Sequence, residues 1–136
     1  MTELENLSTT GSEAGGYEAT LRLRVSAHDA HYSGDLVSGA WIMGIFGDIA
    51  TELALAHDGD EGLLRAYQEL EFLAPVRAGD YVEARGRLIR VGRTSREFAC
   101  EAWRVAELDH DRGPTAGRLL EEPVLIARGA GTVVCP

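Results

Sequence analysis

Residues 17–25 alternate: Tyr17, Ala19, Leu21, Leu23 and Val25 fall on one side, with Arg22 and Arg24 on the other. That period of two predicts a half-buried strand. Residues 26–36 are polar and turn-rich and read as a loop. Residues 38–57 predict a helix carrying Trp41, Ile42, Met43, Ile45, Phe46, Ile49, Leu53 and Leu55 on nearly every face, ended by Gly59 as a C-terminal cap. Four strands are then predicted at 63–73, 80–91, 95–105 and 123–134. Pro75 and Gly79-Asp80 punctuate one gap, and Gly92-Arg93-Thr94 makes a short hairpin turn in another. Residues 107–122 read as a long polar excursion, and residues 1–16 as a disordered acidic tail ahead of one domain over 17–136. A helix apolar all round must be surrounded. With one helix available, a curved antiparallel sheet wrapped around it satisfies that demand, giving an α+β fold; a plain α+β sandwich is the competing arrangement.

Two polar features break the apolar pattern. Asp48 and Glu52 are four apart, so they share one helix face, with Gly44 a turn earlier. They either form a hydrated stripe or lie inside. Trp41, Phe46 and Ile49 flank them closely and argue for the inside, where paired carboxylates make a general acid–base site. The loop Asp29-Ala30-His31-Tyr32-Ser33-Gly34-Asp35 is either an ordinary Asx-type turn or part of a site. It feeds Val37-Ser38-Gly39-Ala40, where the first-turn amides have no intrahelical partner and lie at the positive end of the dipole. A carbonyl or enolate oxygen placed on the amides near Gly39 and Ala40 would be stabilised.

The chain has 136 residues, 45% apolar and 26% charged, an ordinary soluble balance for one domain. Its net charge of −9 repels polyanions, so no nucleic-acid partner is expected. All thirteen basic residues are Arg, which excludes Schiff-base chemistry on a lysine and a lysine-bearing phosphate loop. Arg90, Arg93 and Arg96 cluster around Gly92, either for solubility or as a site for an anionic group such as a phosphate. Cys100 and Cys135 are too few for a disulfide framework, and His28, His57 and His110 lack ligand spacing, so no metal is expected. Trp103 and Tyr81 read as packing residues. The N-terminus lacks the basic start and apolar stretch of a signal peptide, and Asp48 and Glu52 interrupt the longest apolar run. A cytoplasmic protein with no membrane partner is therefore expected.

The segments SAHDAHYSGDLVSGAWIMGIFGDIATELALAHDGD, YQELEFLAPVRAGDYVEARGRLIRVG and FACEAWRVA, with EEPVLIARGAGTV near the C-terminus, together resemble the β-aminoacyl-CoA ammonia-lyases of the hot-dog superfamily. The combination of Asp-Ala-His-Tyr, Gly-Asp-x-x-Thr-Glu-Leu and Glu-Phe-x-Ala-Pro-Val-x-x-Gly-Asp carries the likeness over about residues 21–106. Residues 107–120 and the acidic tail lie outside it.

The resemblance implies a hot-dog fold and reversible loss of ammonia from a 3-aminoacyl-CoA to give a 2-enoyl-CoA. It also implies a homodimer or trimer of dimers with sites at the dimer interface, and no prosthetic group, coenzyme A arriving as part of the substrate. On that reading Glu52 is the base, with Asp48 the close alternative, the other carboxylate holding the β-ammonium or returning the proton. His31 and Tyr32 position the amine or tune the carboxylates, Gly39 and Ala40 hold the enolate oxygen, and Arg90, Arg93 and Arg96 meet the coenzyme phosphates. The rival functions are an acyl-CoA thioesterase, an enzyme adding another amine to an enoyl thioester, and a non-catalytic acyl-CoA-binding domain.

Overall fold

The computed structural model describes residues 15–136; the tail expected at 1–16 lies almost wholly outside the described residues. Strand β1 (Glu18–Arg24) is followed by helix α1 (Gly39–Asp58), then β2 (Leu63–Phe72), β3 (Tyr81–Val91), β4 (Ser95–Leu108) and β5 (Gly117–Val134). The strands form one antiparallel sheet in the order β1-β3-β4-β5-β2. The helix therefore connects the two edge strands and lies across one face of the sheet. This is the α+β arrangement expected from the pattern and the hot-dog fold that the resemblance implies.

The helix settles closely because the middle of the sheet presents almost no side chains there. One inward-facing row runs Ala19, Gly86, Cys100, Gly129 and Leu70; the next runs Leu21, Ala84, Ala102, Ala127 and Phe72. A Cβ added at Gly86 would collide with Ile49 of the helix. Into this bed of small residues α1 sinks Ile42, Phe46, Ile49, Ala50, Leu53 and Ala54, all buried. Those spacings form one helical stripe and not a full circumference. The opposite side, with Ala40, Met43, Gly44, Asp48, Glu52, Leu55 and Ala56, is exposed. The expectation of a helix surrounded by its own sheet is thus corrected: a five-stranded sheet covers one side only. By length and composition α1 could cross a membrane, with mean hydropathy 1.3, but one side is packed on the sheet and two carboxylates ride the other.

The excursion expected at 107–122 is also corrected. The β4–β5 ladder continues through Ala106↔Leu119, Glu107↔Arg118 and Leu108↔Gly117, leaving only 109–116 as the turn. Arg118 bonds Glu107 at 2.9 Å, and Arg112 donates to the Gly117 carbonyl at 2.7 Å. These cross-strand pairs explain why so polar a segment stays in the sheet.

The helix ends as its sequence predicts. Gly59 adopts φ 67° and its N–H bonds the Leu55 carbonyl at 2.9 Å. Beside it the Arg96 side chain is buried and grips both Asp58 oxygens at 2.8 and 2.7 Å, while also donating to the carbonyls of Gly92 and Ser95. His57 Nδ1 lies 2.9 Å from the same carboxylate. This lock fastens the helix end to the β3–β4 turn. The Arg96 guanidinium holds the Asp58 carboxyl well below the usual carboxylate range, against the opposing effect of burial.

A carboxylate with a depressed folded pKa stabilises the fold above its unfolded pKa, and that contribution is lost as pH falls through the folded value. Asp58→Asn should therefore lower the urea midpoint most above about pH 4, the difference from wild type narrowing at more acidic pH. Equal midpoints across pH 3–7 would contradict the lock.

Candidate active site

The chain ahead of α1 is held by its backbone. Tyr32 and Leu36 exchange both N–H···O bonds, at 2.8 and 3.0 Å, around a turn in which Ser33 (φ 48°) and Gly34 (φ 96°) are left-handed. The Ala78 N–H bonds the Asp35 carbonyl at 3.3 Å, and the Val37 N–H bonds the Val76 carbonyl at 3.0 Å. Asp29 lies in an exposed turn where the Ser26 hydroxyl bonds its carboxylate and holds it below its ordinary pKa. His31 and Tyr32 are both exposed, Tyr32 by 60%. They project from a fixed turn beside the helix start.

Ser38 is the N-cap, extended at φ −80° and ψ 163°, and its side chain makes no capping bond. The Trp41 N–H takes the Ser38 carbonyl at 3.1 Å. The amides of Gly39 and Ala40, the first two helical positions, have no intrahelical acceptor. Against this turn lies a cavity of about 490 Å³, lined by Ser38, Gly39, Ile42, Phe72, Val76 and Ile126 among others. Gly39 lets the Phe72 ring lie close: a Cβ there would stand 2.9–3.2 Å from it. The cavity therefore joins backbone donors at a positive helix end to an apolar wall. Phe72, Val76 and Ile126 were not identifiable from local sequence, because β2, the segment after it and β5 meet only through tertiary pairing; Leu73 and Ala74 both donate to the Ile126 carbonyl.

Asp48 and Glu52 share one helix face as their spacing predicts, but both are exposed, so the expectation that they lie inside fails within the chain. The sheet that would have sealed them covers the other side of α1. Nor are they at the cavity. At about 1.5 Å rise per residue, Asp48 stands about 14 Å and Glu52 about 20 Å along the axis from Gly39. Carboxylates and amides of one helix cannot meet across one acyl group.

The arginines part company. Arg96 is buried on Asp58 and cannot join a surface anion site, a correction to the expected cluster; the lock partner lies 38 positions away in sequence, beyond any local signal. Arg90 and Arg93 are exposed, Arg90 lying 3.6 Å from Glu97. Among the described residues no group of three or more His, Cys, Asp or Glu side chains could hold a metal ion.

Residues 34–108 match the family model described as the thioesterase superfamily. The chain is 48% identical over 119 residues to a 3-aminobutyryl-CoA ammonia lyase of Acetoanaerobium sticklandii, covering 88% of this chain and 94% of that protein. Among solved structures, β-alanyl-CoA:ammonia lyase from Clostridium propionicum is 40% identical, with a TM-score of 0.83 over 88% of this chain and 85% of that one. A hexameric thioesterase from Yersinia pestis is 22% identical with a TM-score of 0.69, over 85% of this chain and 84% of that one, a likeness of fold alone.

Proposed function

The chain belongs to the thioesterase superfamily of hot-dog proteins, and from that premise we propose that it is a 3-aminoacyl-CoA ammonia lyase working at a site shared by two copies. The observation that carries the activity is the 48% identity to a 3-aminobutyryl-CoA ammonia lyase over nearly its whole length. The substrate is a 3-aminoacyl-CoA of the β-alanyl or 3-aminobutyryl type.

The geometry supplies a mechanism. The thioester carbonyl rests on the Gly39 and Ala40 amides, which makes the neighbouring C–H acidic. Glu52 removes that proton, with Asp48 the alternative, and the resulting enolate is held by the same amides. The enolate electron pair then forms the C=C bond while the C–N bond breaks, its pair leaving with nitrogen as ammonia. Proton and ammonia together account for the ammonium lost, and the reverse sequence adds ammonia to the enoyl thioester. The second carboxylate holds the β-ammonium, and His31 and Tyr32 flank the amine. Arg90 and Arg93 remain for the coenzyme phosphates. The chemistry asks for no prosthetic group, and a cytoplasmic location fits a coenzyme A thioester substrate.

Support for the shared site comes from what one chain leaves open. The edge strand β2 pairs with β5 alone and exposes Leu63 by 78%, Leu64 by 45% and Phe72 by 52%, next to the open apolar side of α1. Such an edge and face together are a template for a second copy. A two-fold pairing edge to edge continues the sheet and lays the helices antiparallel. It brings the helix start of one protomer towards the carboxylates of its partner, closing the gap that one chain cannot span. A homodimer, or a trimer of dimers, is the assembly this requires.

Crotonyl-CoA mixed with ammonia tests the activity. The lyase consumes the enoyl absorbance and releases no free thiol; thiol release would mark a thioesterase instead. Glu52→Gln and Asp48→Asn should each lower turnover by at least ~100-fold. Wild-type rates in both variants would remove the carboxylates from the mechanism.

A further inference from the structure

Tyr67 has no part in the chemistry above, yet several features converge on it. It lies on the inner face of β2, and the β2–β5 register shifts on either side of it, between Leu64 and Ala66 and between Tyr67 and Glu69. Such irregularities re-aim a side chain. Opposite it stands Gly131, where a Cβ would come within 2.6 Å of the Ala66 carbonyl oxygen and 2.7 Å of the Phe98 ring. Glycine there admits the edge strand and lets Tyr67 meet Phe98 edge-on, with centroids 6.2 Å apart. So aimed, the Tyr67 hydroxyl donates to the Met43 carbonyl of α1 at 2.7 Å. It stands 3.8 Å from the place a Cβ at Gly47 would occupy, beside Asp48 in the chain. One turn on, the Thr51 hydroxyl donates to the Gly47 carbonyl at 3.0 Å.

Packing alone does not call for that hydroxyl, since phenylalanine would fill the same space against Phe98. The oxygen is spent on the Met43 carbonyl, in the helical turn that leads into Asp48. We infer that Tyr67 is a positioning residue for Asp48, its hydroxyl fixing the helical turn from which that carboxylate reaches the shared site. The inference rests on the lyase reading. Burial first, then the nearby Cys100 thiol and the Asp48 charge, push the phenol up to about 12, so the hydroxyl keeps its proton and remains a donor at neutral pH.

The test is a double-mutant cycle on the full chain, read with crotonyl-CoA and ammonia. Tyr67→Phe should lower kcat about tenfold. KM for crotonyl-CoA should stay within about twofold, because the lost bond orients a reacting group and does not bind the thioester. In the Asp48→Asn background the same change should cost almost nothing further, since there is no carboxylate left to orient. Multiplicative losses in the double variant, or a Tyr67→Phe protein with lower Tm but unchanged kcat, overturn the positioning role. The wild-type control separates the two claims: an active wild type with an unaffected variant overturns this role alone, whereas an inactive wild type overturns the lyase reading and this role with it.

Discussion

A twenty-residue helix with apolar residues on every side needs cover on every side, and one five-stranded sheet gives it cover on one. The central glycines and alanines of β3, β4 and β5 let α1 sink until Phe46, Ile49 and Leu53 are fully buried. What remains outward is a strip where Met43 and Leu55 expose apolar surface around Gly44, Asp48 and Glu52. Apolar surface of that kind favours association, and in the proposed dimer the carboxylates would enter a joint from which water is expelled.

The same helix sets the scale of the active site. Its first turn offers backbone donors with no partner in the chain, and its third and fourth turns offer acids. In the proposed mechanism the reacting acyl group must reach both, and the helical rise keeps them about 14 Å or more apart within one chain. The proposed antiparallel pairing would bring the donor end of each helix towards the acidic stretch of the other. The Arg96–Asp58 lock belongs to this economy of positions. It ties the far end of α1 to the β3–β4 turn, so the helix bearing both halves of the proposed site is held at each end, by Gly39 under Phe72 and by Asp58 under Arg96.

The periodicities showed the elements well. Strand alternation, the Gly59 stop and the order of one strand, one helix and four strands all stand in the structure, as does the hot-dog class. The failures have physical causes. Residues 117–122 read as loop because that exposed hairpin end lacks apolar alternation and four of its six residues are glycine or charged, its pairing held by Arg118 and Glu107 across strands. Asp48 and Glu52 read as interior because the helix is apolar around them, yet no described segment of the chain covers that side. Arg96 looked like one of three surface cations because its partner is remote in sequence. Tyr67 gives no local signal, because its bond to α1 follows from two register shifts and a facing glycine that exist only once β2 and β5 are paired.

Subunit complementation tests the shared site most directly. Ala40→Pro removes one first-turn amide, which has no intrahelical acceptor, at an exposed position in the helical turn where proline is tolerated. Glu52→Gln removes the base. Each variant alone should be nearly inactive. Co-expressed in equal amounts, they should regain about a quarter of wild-type turnover, because half the dimers are mixed and each mixed dimer has one intact site of two. A mixture as inactive as its parents would contradict the account, placing donor and base on one chain.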